Sequence, residues 1–227
     1  MLQKKHAMVP FLKKALVSPV LWSVFLAAAC GSEKKDTVSE VDSFPRMASR
    51  WDDPNIPVCW ESSADGFATE KAWVREKVES QYEESTNIRF DGWRTCKDSD
   101  NRGIRITVAD AGAHTKGLGK ALDGVRNGML LNFTFENWSS SCQANPKRCI
   151  QGIAVHEFGH AVGLAHEQNR PDTPSTCVGR EQGTQGDVTV GTWDLNSVMN
   201  YCNPVYNNNG NLTEQDIEGI NRMYGTP

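Results

Sequence analysis

The segment His156-Glu157-Phe158-Gly159-His160-Ala161-Val162-Gly163-Leu164-Ala165-His166 gathers three of the chain's five histidines around one glutamate. His156 and His160 are four apart, which on a helix sets both imidazoles on one face, a turn from each other. Two imidazoles so placed can share one Zn²⁺. Glu157 is then the candidate general base for a water at the metal. Gly163 falls where a helix can end in a left-handed residue, and that turn would swing His166 back as a third ligand. Three protein nitrogens leave a fourth position open, the mark of a catalytic rather than a structural zinc site. Two surface histidines on a polar helix face would account for a bare His-Glu-x-x-His. They would not account for Gly163 and His166 as well.

Such a site needs a helix beneath it and a wall beside it. Asn145-Pro146 opens the helix, with Asn145 as N-cap and Pro146 at the first helical position. Ile150, Ile153, Ala154, Phe158, Ala161 and Val162 supply its apolar surface. Upstream, residues 56–60, 87–93, 103–108 and 129–133 read as strands. Residues 69–85 read as a helix capped by Thr69, with Val74, Val78 and Tyr82 facing the core. This alternation predicts an α/β layer over the first two-thirds of the chain. The Gly-rich stretch 110–128 lacks any phosphate-loop pattern and reads as loop and edge strand, with His114 a surface residue. After His166 the composition turns to Pro, Thr, Gly and Asn, a loop-rich region containing Ser197-Val198-Met199-Asn200-Tyr201. A last helix opens at Thr213, with Asp216 at its N3 acid position and Ile217, Ile220, Met223 and Tyr224 as its stripe.

Residues 1–29 differ from the rest. Lys4, Lys5, Lys13 and Lys14 precede an apolar run with no acid, the pattern of a signal peptide with too short a core for a membrane span. Without those lysines the chain carries 20 Lys and Arg against 28 acids, a net charge of about −8. An acidic chain is poorly suited to nucleic acid. The run ends Leu26-Ala27-Ala28-Ala29-Cys30, which resembles the lipobox of bacterial lipoproteins, although Ala27 stands where that motif prefers Leu. The resemblance implies a lipid on Cys30, secretion across the inner membrane and anchorage to a bacterial membrane. Residues 30–50 then read as anchor and tether, and 51–227 as the catalytic domain. The six remaining cysteines suit three disulfides. Chain proximity favours Cys59–Cys96, Cys142–Cys149 and Cys177–Cys202.

The third His, Gly163 and the later Met segment together resemble the metzincin clan of zinc endopeptidases. His166-Glu167-Gln168-Asn169-Arg170-Pro171-Asp172 and Ser197-Val198-Met199-Asn200-Tyr201 are similar to the extended zinc motif and Met-turn of the astacin family. Phe158-Gly159-His160-Ala161 is more similar to the matrixin helix. Thr173-Pro174 stands where astacins carry a second Arg-Asp pair. The resemblance implies an α+β fold of two lobes. Its upper lobe is α/β-like, with a mixed, mostly parallel sheet and an antiparallel edge strand near His114–Lys120. Its lower lobe is small and loop-rich, with the Met-turn and the C-terminal helix. It implies Tyr201 as metal ligand at rest and oxyanion donor, Met199 as the apolar floor, and Glu167 as the residue that meets a freed N-terminus. The expectation is a monomeric endopeptidase with one Zn²⁺ per chain, acting on protein or peptide. The alternatives are a zinc-stabilised surface binding module without catalysis and a zinc amidase of cell-wall peptides.

Overall fold

The computed structural model describes residues 43–227. The signal-peptide and Cys30 readings lie outside the described residues. The chain is packed from Ser43 onward, upstream of the expected domain start at residue 51. Ser43 bridges to Val190 and Pro45 to Leu164. Arg46 N–H bonds Gly163 O at 2.9 Å, and Ala165 N–H bonds Phe44 O at 3.0 Å. Residues 43–50 therefore belong to the domain and not to a tether. Their backbone donors and acceptors pair with the segment that follows the zinc-motif helix, and Phe44 is buried.

Five strands form one sheet in the order β2-β1-β3-β5-β4. They are β1 (Asn55–Trp60), β2 (Arg89–Thr95), β3 (Ile104–Val108), β4 (His114–Thr115) and β5 (Met129–Leu131). All pairs are parallel except β4–β5, in which His114 faces Leu130 and Thr115 faces Met129. The expected mixed sheet with one antiparallel edge is thus present. The edge strand proper is short. Lys116 still donates to Gly128 O at 2.8 Å, but the chain then enters a 3₁₀ turn at Gly119–Leu122. Ile56, Val58, Ile104, Ile106, Met129 and Leu131 are buried, as expected for a parallel layer covered by helices.

Helix α1 (Ala68–Val78) continues into a π-turn over Glu79–Glu83. Its N-cap is Phe67, with no side-chain cap bond, so Thr69 lies inside the first turn and does not cap it. Val74, Val78 and Tyr82 are buried as expected. The Tyr82 hydroxyl donates to Val155 O at 2.6 Å, tying the π-turn to the main helix. A short α2 (Ser140–Ala144) precedes that helix, α3 (Pro146–Val162). Pro146 sits at its start, while Asn145 makes no side-chain cap bond. Phe158 is fully buried on α3, edge-on to Phe90 at 4.8 Å and stacked with Trp93 at 5.6 Å. Burying such a side chain contributes about 1.5–3 kcal/mol. Trp93 reaches it because β2 bulges there, with Gly92 opposite Val58 and Arg94 opposite Cys59.

Downstream of α3 the described chain has only short 3₁₀ turns until α4 (Glu214–Tyr224). The Thr213–Asp216 capping box is formed in full. All three expected disulfides are present: Cys59–Cys96, Cys142–Cys149 and Cys177–Cys202.

Candidate active site

Helix α3 carries His156, Glu157 and His160 on buried turns. Gly163 ends it with φ +108°, a left-handed cap that costs glycine little and turns the chain sharply. That turn returns His166 to the helix. His160 Nε2 lies 3.1 Å from His166 Nε2, and His166 Nε2 lies 3.3 Å from His156 Nε2.

The opposite ring nitrogens are all engaged by main-chain carbonyls. Nδ1 of His156 bonds Val198 O at 2.8 Å, that of His160 bonds Leu164 O at 2.9 Å, and that of His166 bonds Gln182 O at 2.8 Å. A carbonyl only accepts, so each Nδ1 carries the proton and each Nε2 is left a bare lone pair. Three lone pairs converging in a buried site are the donor set of a tetrahedral zinc with one open position, held by second partners that fix tautomer and ring angle. No other group of three His, Cys, Asp or Glu among the described residues is arranged to hold a metal ion. Burial holds the imidazoles neutral: His156 is pushed down to about 3 and His160 is also lowered, each with a contribution from neighbouring rings, and His166 is lowered by burial.

Glu157 is 4% exposed, and burial pushes its carboxyl up to about 8. Its Oε2 has no hydrogen-bond partner among the described residues. Even so, the side chain lines two cavities. One, of about 280 Å³, is walled by β4 and the following residues to Leu118, with His160, His166, Gln182 and Tyr201. The other, of about 340 Å³, is walled by Gly112, Ala113, Trp138, His156, Arg180, Tyr201 and Tyr206. Ala113, Glu157 and Tyr201 are common to both. A larger cavity, of about 440 Å³, contains none of the histidines.

Tyr201 is half-exposed, with its ring 4.4 Å from that of His166 and 5.4 Å from that of His156. Burial of the ring pushes its hydroxyl up to about 12, so it stays protonated and can donate. Gln168 Oε1 accepts the Tyr201 N–H at 3.0 Å, fixing the backbone from which the ring projects. Met199 is buried under α3. A Cβ at Gly159 would press on its Sδ, so the floor packs closely against the helix there and a larger residue would require Met199 to shift. The segment carrying Met199 and Tyr201 is pinned from below by Asp216. That carboxylate accepts the Ser197 hydroxyl at 2.6 Å and the Val198 N–H at 3.1 Å.

All five residues singled out from the sequence, His156, Glu157, His160, His166 and Tyr201, thus meet at one centre. His114, read as a surface residue, is exposed but stands on the edge strand in the cleft wall. Glu167 is buried. Its carboxylate faces Arg170 Nε at 3.4 Å and accepts the Asp194 N–H at 3.0 Å. Arg170 in turn donates to the main-chain oxygens of Ser43, Val190 and Gly191. Sequence reasoning missed Gln182, Gln168 and the Ser197–Asp216 pair. Gln182 acts through its backbone, which no residue type reveals. Asp216 was legible only as a cap.

The profile of the astacin family of peptidases matches residues 44–182. The chain belongs to the astacin family. It is 27% identical to Protein SpAN of Strongylocentrotus purpuratus over 185 residues, which is 75% of this chain and 27% of that protein. It is 32% identical over 111 residues to the zinc metalloproteinase nas-13 of Caenorhabditis elegans, covering 35% of this chain and 25% of that one. The chain therefore spans about a quarter of the length of these relatives. Among solved structures, myroilysin matches with a TM-score of 0.58 at 18% identity, over 79% of this chain and 97% of that one. High choriolytic enzyme 1, a hatching enzyme zinc-protease from Oryzias latipes, matches with a TM-score of 0.50 at 20% identity, over 76% and 90%. These likenesses in shape agree with the α+β, metzincin-type fold.

Proposed function

We propose that this astacin-family chain is a zinc-dependent endopeptidase that hydrolyses peptide bonds of proteins or peptides. One observation carries the reading: three bare imidazole nitrogens converge beside a buried glutamate oxygen that has no partner among the described residues, in a cleft bounded by a sheet edge. His156, His160 and His166 would hold the metal. The chemistry that a zinc ion would supply there is polarisation of a carbonyl and acidification of a water. Glu157 takes the proton of the attacking water on its carboxylate and returns it to the leaving amine. Tyr201 turns its hydroxyl toward the oxygen that gains negative charge in the transition state. The outer edge of β4 pairs with the main chain of an extended substrate and holds the scissile bond over Glu157.

Two substitutions test this reading with casein as substrate and with metal analysis. Glu157→Gln removes the base and no ligand, so it should retain about one zinc per chain while cleavage falls to near background. Tyr201→Phe should lower kcat roughly 10²-fold with little change in KM, the loss typical of one oxyanion donor. Each His→Ala change should release zinc and activity together. A zinc-loaded wild type that cleaves cell-wall peptides but no casein would point to an amidase. One that cleaves neither would point to a binding module.

The chain is also read as a lipoprotein, exported and anchored through Cys30. The support is the Leu26–Cys30 pattern together with the three disulfides, which take the other six of the seven cysteines. Alkyne fatty-acid labelling should tag the wild type and not Cys30→Ser; equal labelling of both would end that reading.

A further inference from the structure

Six large apolar residues are exposed among the described ones, and several of them crowd one flank of the cleft. Trp138 is 43% exposed and Tyr206 46%. Their rings meet at 6.4 Å and 60°. Trp138 is braced from behind by Phe135, fully buried and stacked on it at 5.8 Å. Tyr206 comes from much later in the chain, five residues past Tyr201. Both rings line the cavity that holds His156, Glu157 and Tyr201. Both also line the neighbouring cavity of about 440 Å³, whose far wall is Ser139, Asn145, Arg148 and the Cys142–Cys149 disulfide. The aromatic pair is therefore a ridge between the catalytic cavity and a second hollow. An exposed, braced aromatic pair continuous with a cleft has no folding reason to face water.

The polarity of the occupant follows from the sheet. The free edge of β4 accepts a strand most stably in the antiparallel sense, with the better-aligned hydrogen bonds. Both cavities adjoin Ala113; the one with the ridge extends back to Gly112, before β4, and the other follows β4 toward Leu118. An antiparallel substrate enters past Leu118 and leaves past Gly112, so its C-terminal portion crosses the ridge.

We propose that Trp138 and Tyr206 form a specificity subsite for a large aromatic or apolar side chain on the leaving-amine side of the scissile bond. It lies beyond the residue that occupies the cavity next to Glu157, and it makes the chain favour substrates with such a residue a few positions downstream of the cut. The inference rests on the endopeptidase reading above. Apolar complementarity selects the side chain here: the two ring faces stack with another ring or a bulky aliphatic group, and Arg180 and Arg148 in the two linings disfavour a cationic side chain.

The test uses the zinc-loaded full chain and a set of peptides sharing one cleavable core. Phe replaces Ala in turn at the second, third and fourth positions after the scissile bond. At one of these positions the wild type should cleave the Phe peptide about 2- to 12-fold more efficiently than the Ala peptide, the range that aromatic pair contacts produce. Trp138→Ala/Tyr206→Ala should bring that kcat/KM ratio to about one, and Trp138→Phe should restore most of it. The same peptides are also titrated by fluorescence onto Glu157→Gln, which reports binding without turnover. Cleavage with no Phe preference at any position, or a preference that survives in the double variant, overturns the subsite while leaving the endopeptidase reading intact. A Phe preference in binding that depends on both rings, with no cleavage by the wild type, keeps the subsite and removes the endopeptidase reading. Preference in neither measurement, with no cleavage, removes both.

Discussion

The chain on either side of Gly163 is held by different forces. Before it, between β1 and the end of α3, regular elements close on a continuous apolar core that includes Ile56, Ile106, Val74, Phe90 and Phe158. After it, between Leu164 and Leu212, there is no strand and no α-helix. Side-chain amides and one arginine do the work of secondary structure there. Asn169 brackets Gln182, accepting its N–H and donating to its carbonyl, both near 2.9 Å. Asn200 joins Asp194 O to the Cys202 N–H, and Asn203 joins Asn196 O to the Val205 N–H. Arg170 spans three carbonyls and two carboxylates. The first region supplies a rigid helix with two ligands and the base. The second supplies the third ligand, Tyr201 and the carbonyls that orient all three rings. Apolar packing tolerates a lost methylene at a graded cost, whereas a polar lattice fails when one member leaves others buried and unpaired.

The comparison is broken most directly at Arg170. Its side chain is inaccessible to solvent, and Arg170→Met would leave Glu167 buried without its cation and remove one donor from each of three carbonyls, of which those of Ser43 and Val190 keep a backbone partner. The expected loss is about 3–5 kcal/mol, with zinc affinity falling alongside. Denaturant melts and zinc titration of the same sample check this. A loss below about 1 kcal/mol, the scale of an exposed pair, would show that the second region does not depend on its polar lattice. Ile106→Ala is the counterpart in the central strand, fully buried and not among the residues that line the cavities beside the histidines. It should cost about 2–5 kcal/mol, while the protein that remains folded binds zinc as before. A change in zinc affinity as large as that of Arg170→Met would erase the distinction between the regions.

The disulfides sharpen it further. Cys177–Cys202 lies within the second region and ends next to Tyr201, while Cys59–Cys96 ties β1 to the residue after β2. Replacing either pair by serine should cost about 2–4 kcal/mol. Only the Cys177/Cys202 double variant should also lower kcat, several-fold, because the backbone beneath the Tyr201 ring loses a tether. Steady-state kinetics at a temperature where both variants stay folded compare the two, and equal kcat values would count against the assignment.

The same division explains what was legible in the sequence. The strands, the two main helices and the histidine triad can be read because apolar periodicity and fixed spacings are local properties, whereas Tyr201 is reached only through the resemblance of residues 197–201 to the astacin Met-turn. The left-handed Gly163 announces itself by type and position. The second region carries no period, and its order comes from Asn and Arg side chains whose partners are carbonyls, so residue type says "loop" but not which loop meets which. Thr69 reads as a cap yet is none, because a suitable residue type at a helix start does not ensure that its oxygen reaches an N–H. Residues 43–50 read as tether yet belong to the domain, because what orders them is β-bridging to Leu164 and Val190, far off in sequence. The β2 bulge that aims Trp93 at Phe158 is invisible for the same reason: alternation predicts faces, not interruptions.

The smallest effect divides a single structural device between the two regions. Thr213 and Asp216 cap α4 reciprocally: Asp216 N–H donates to Thr213 Oγ1 at 3.1 Å, and Thr213 N–H donates to Asp216 Oδ2 at 3.0 Å. Asp216 also holds Ser197 and Val198, whose carbonyl orients His156. Thr213→Ala deletes only the helix-capping half. It leaves the Asp216 carboxylate with its donors from Ser197, Val198 and the backbone of residue 213. The cost should be about 1 kcal/mol of stability, as for other cap deletions, and Thr213→Ser should recover most of it. Zinc affinity and kcat should not follow, because the bonds that reach the metal site run through Asp216 and not through the threonine hydroxyl. Thermal melts and kinetics on the two variants separate these effects. If Thr213→Ala lowers kcat in step with stability, then α4 positions the Met199–Tyr201 segment as a whole, and the capping box belongs to the site as much as to the helix.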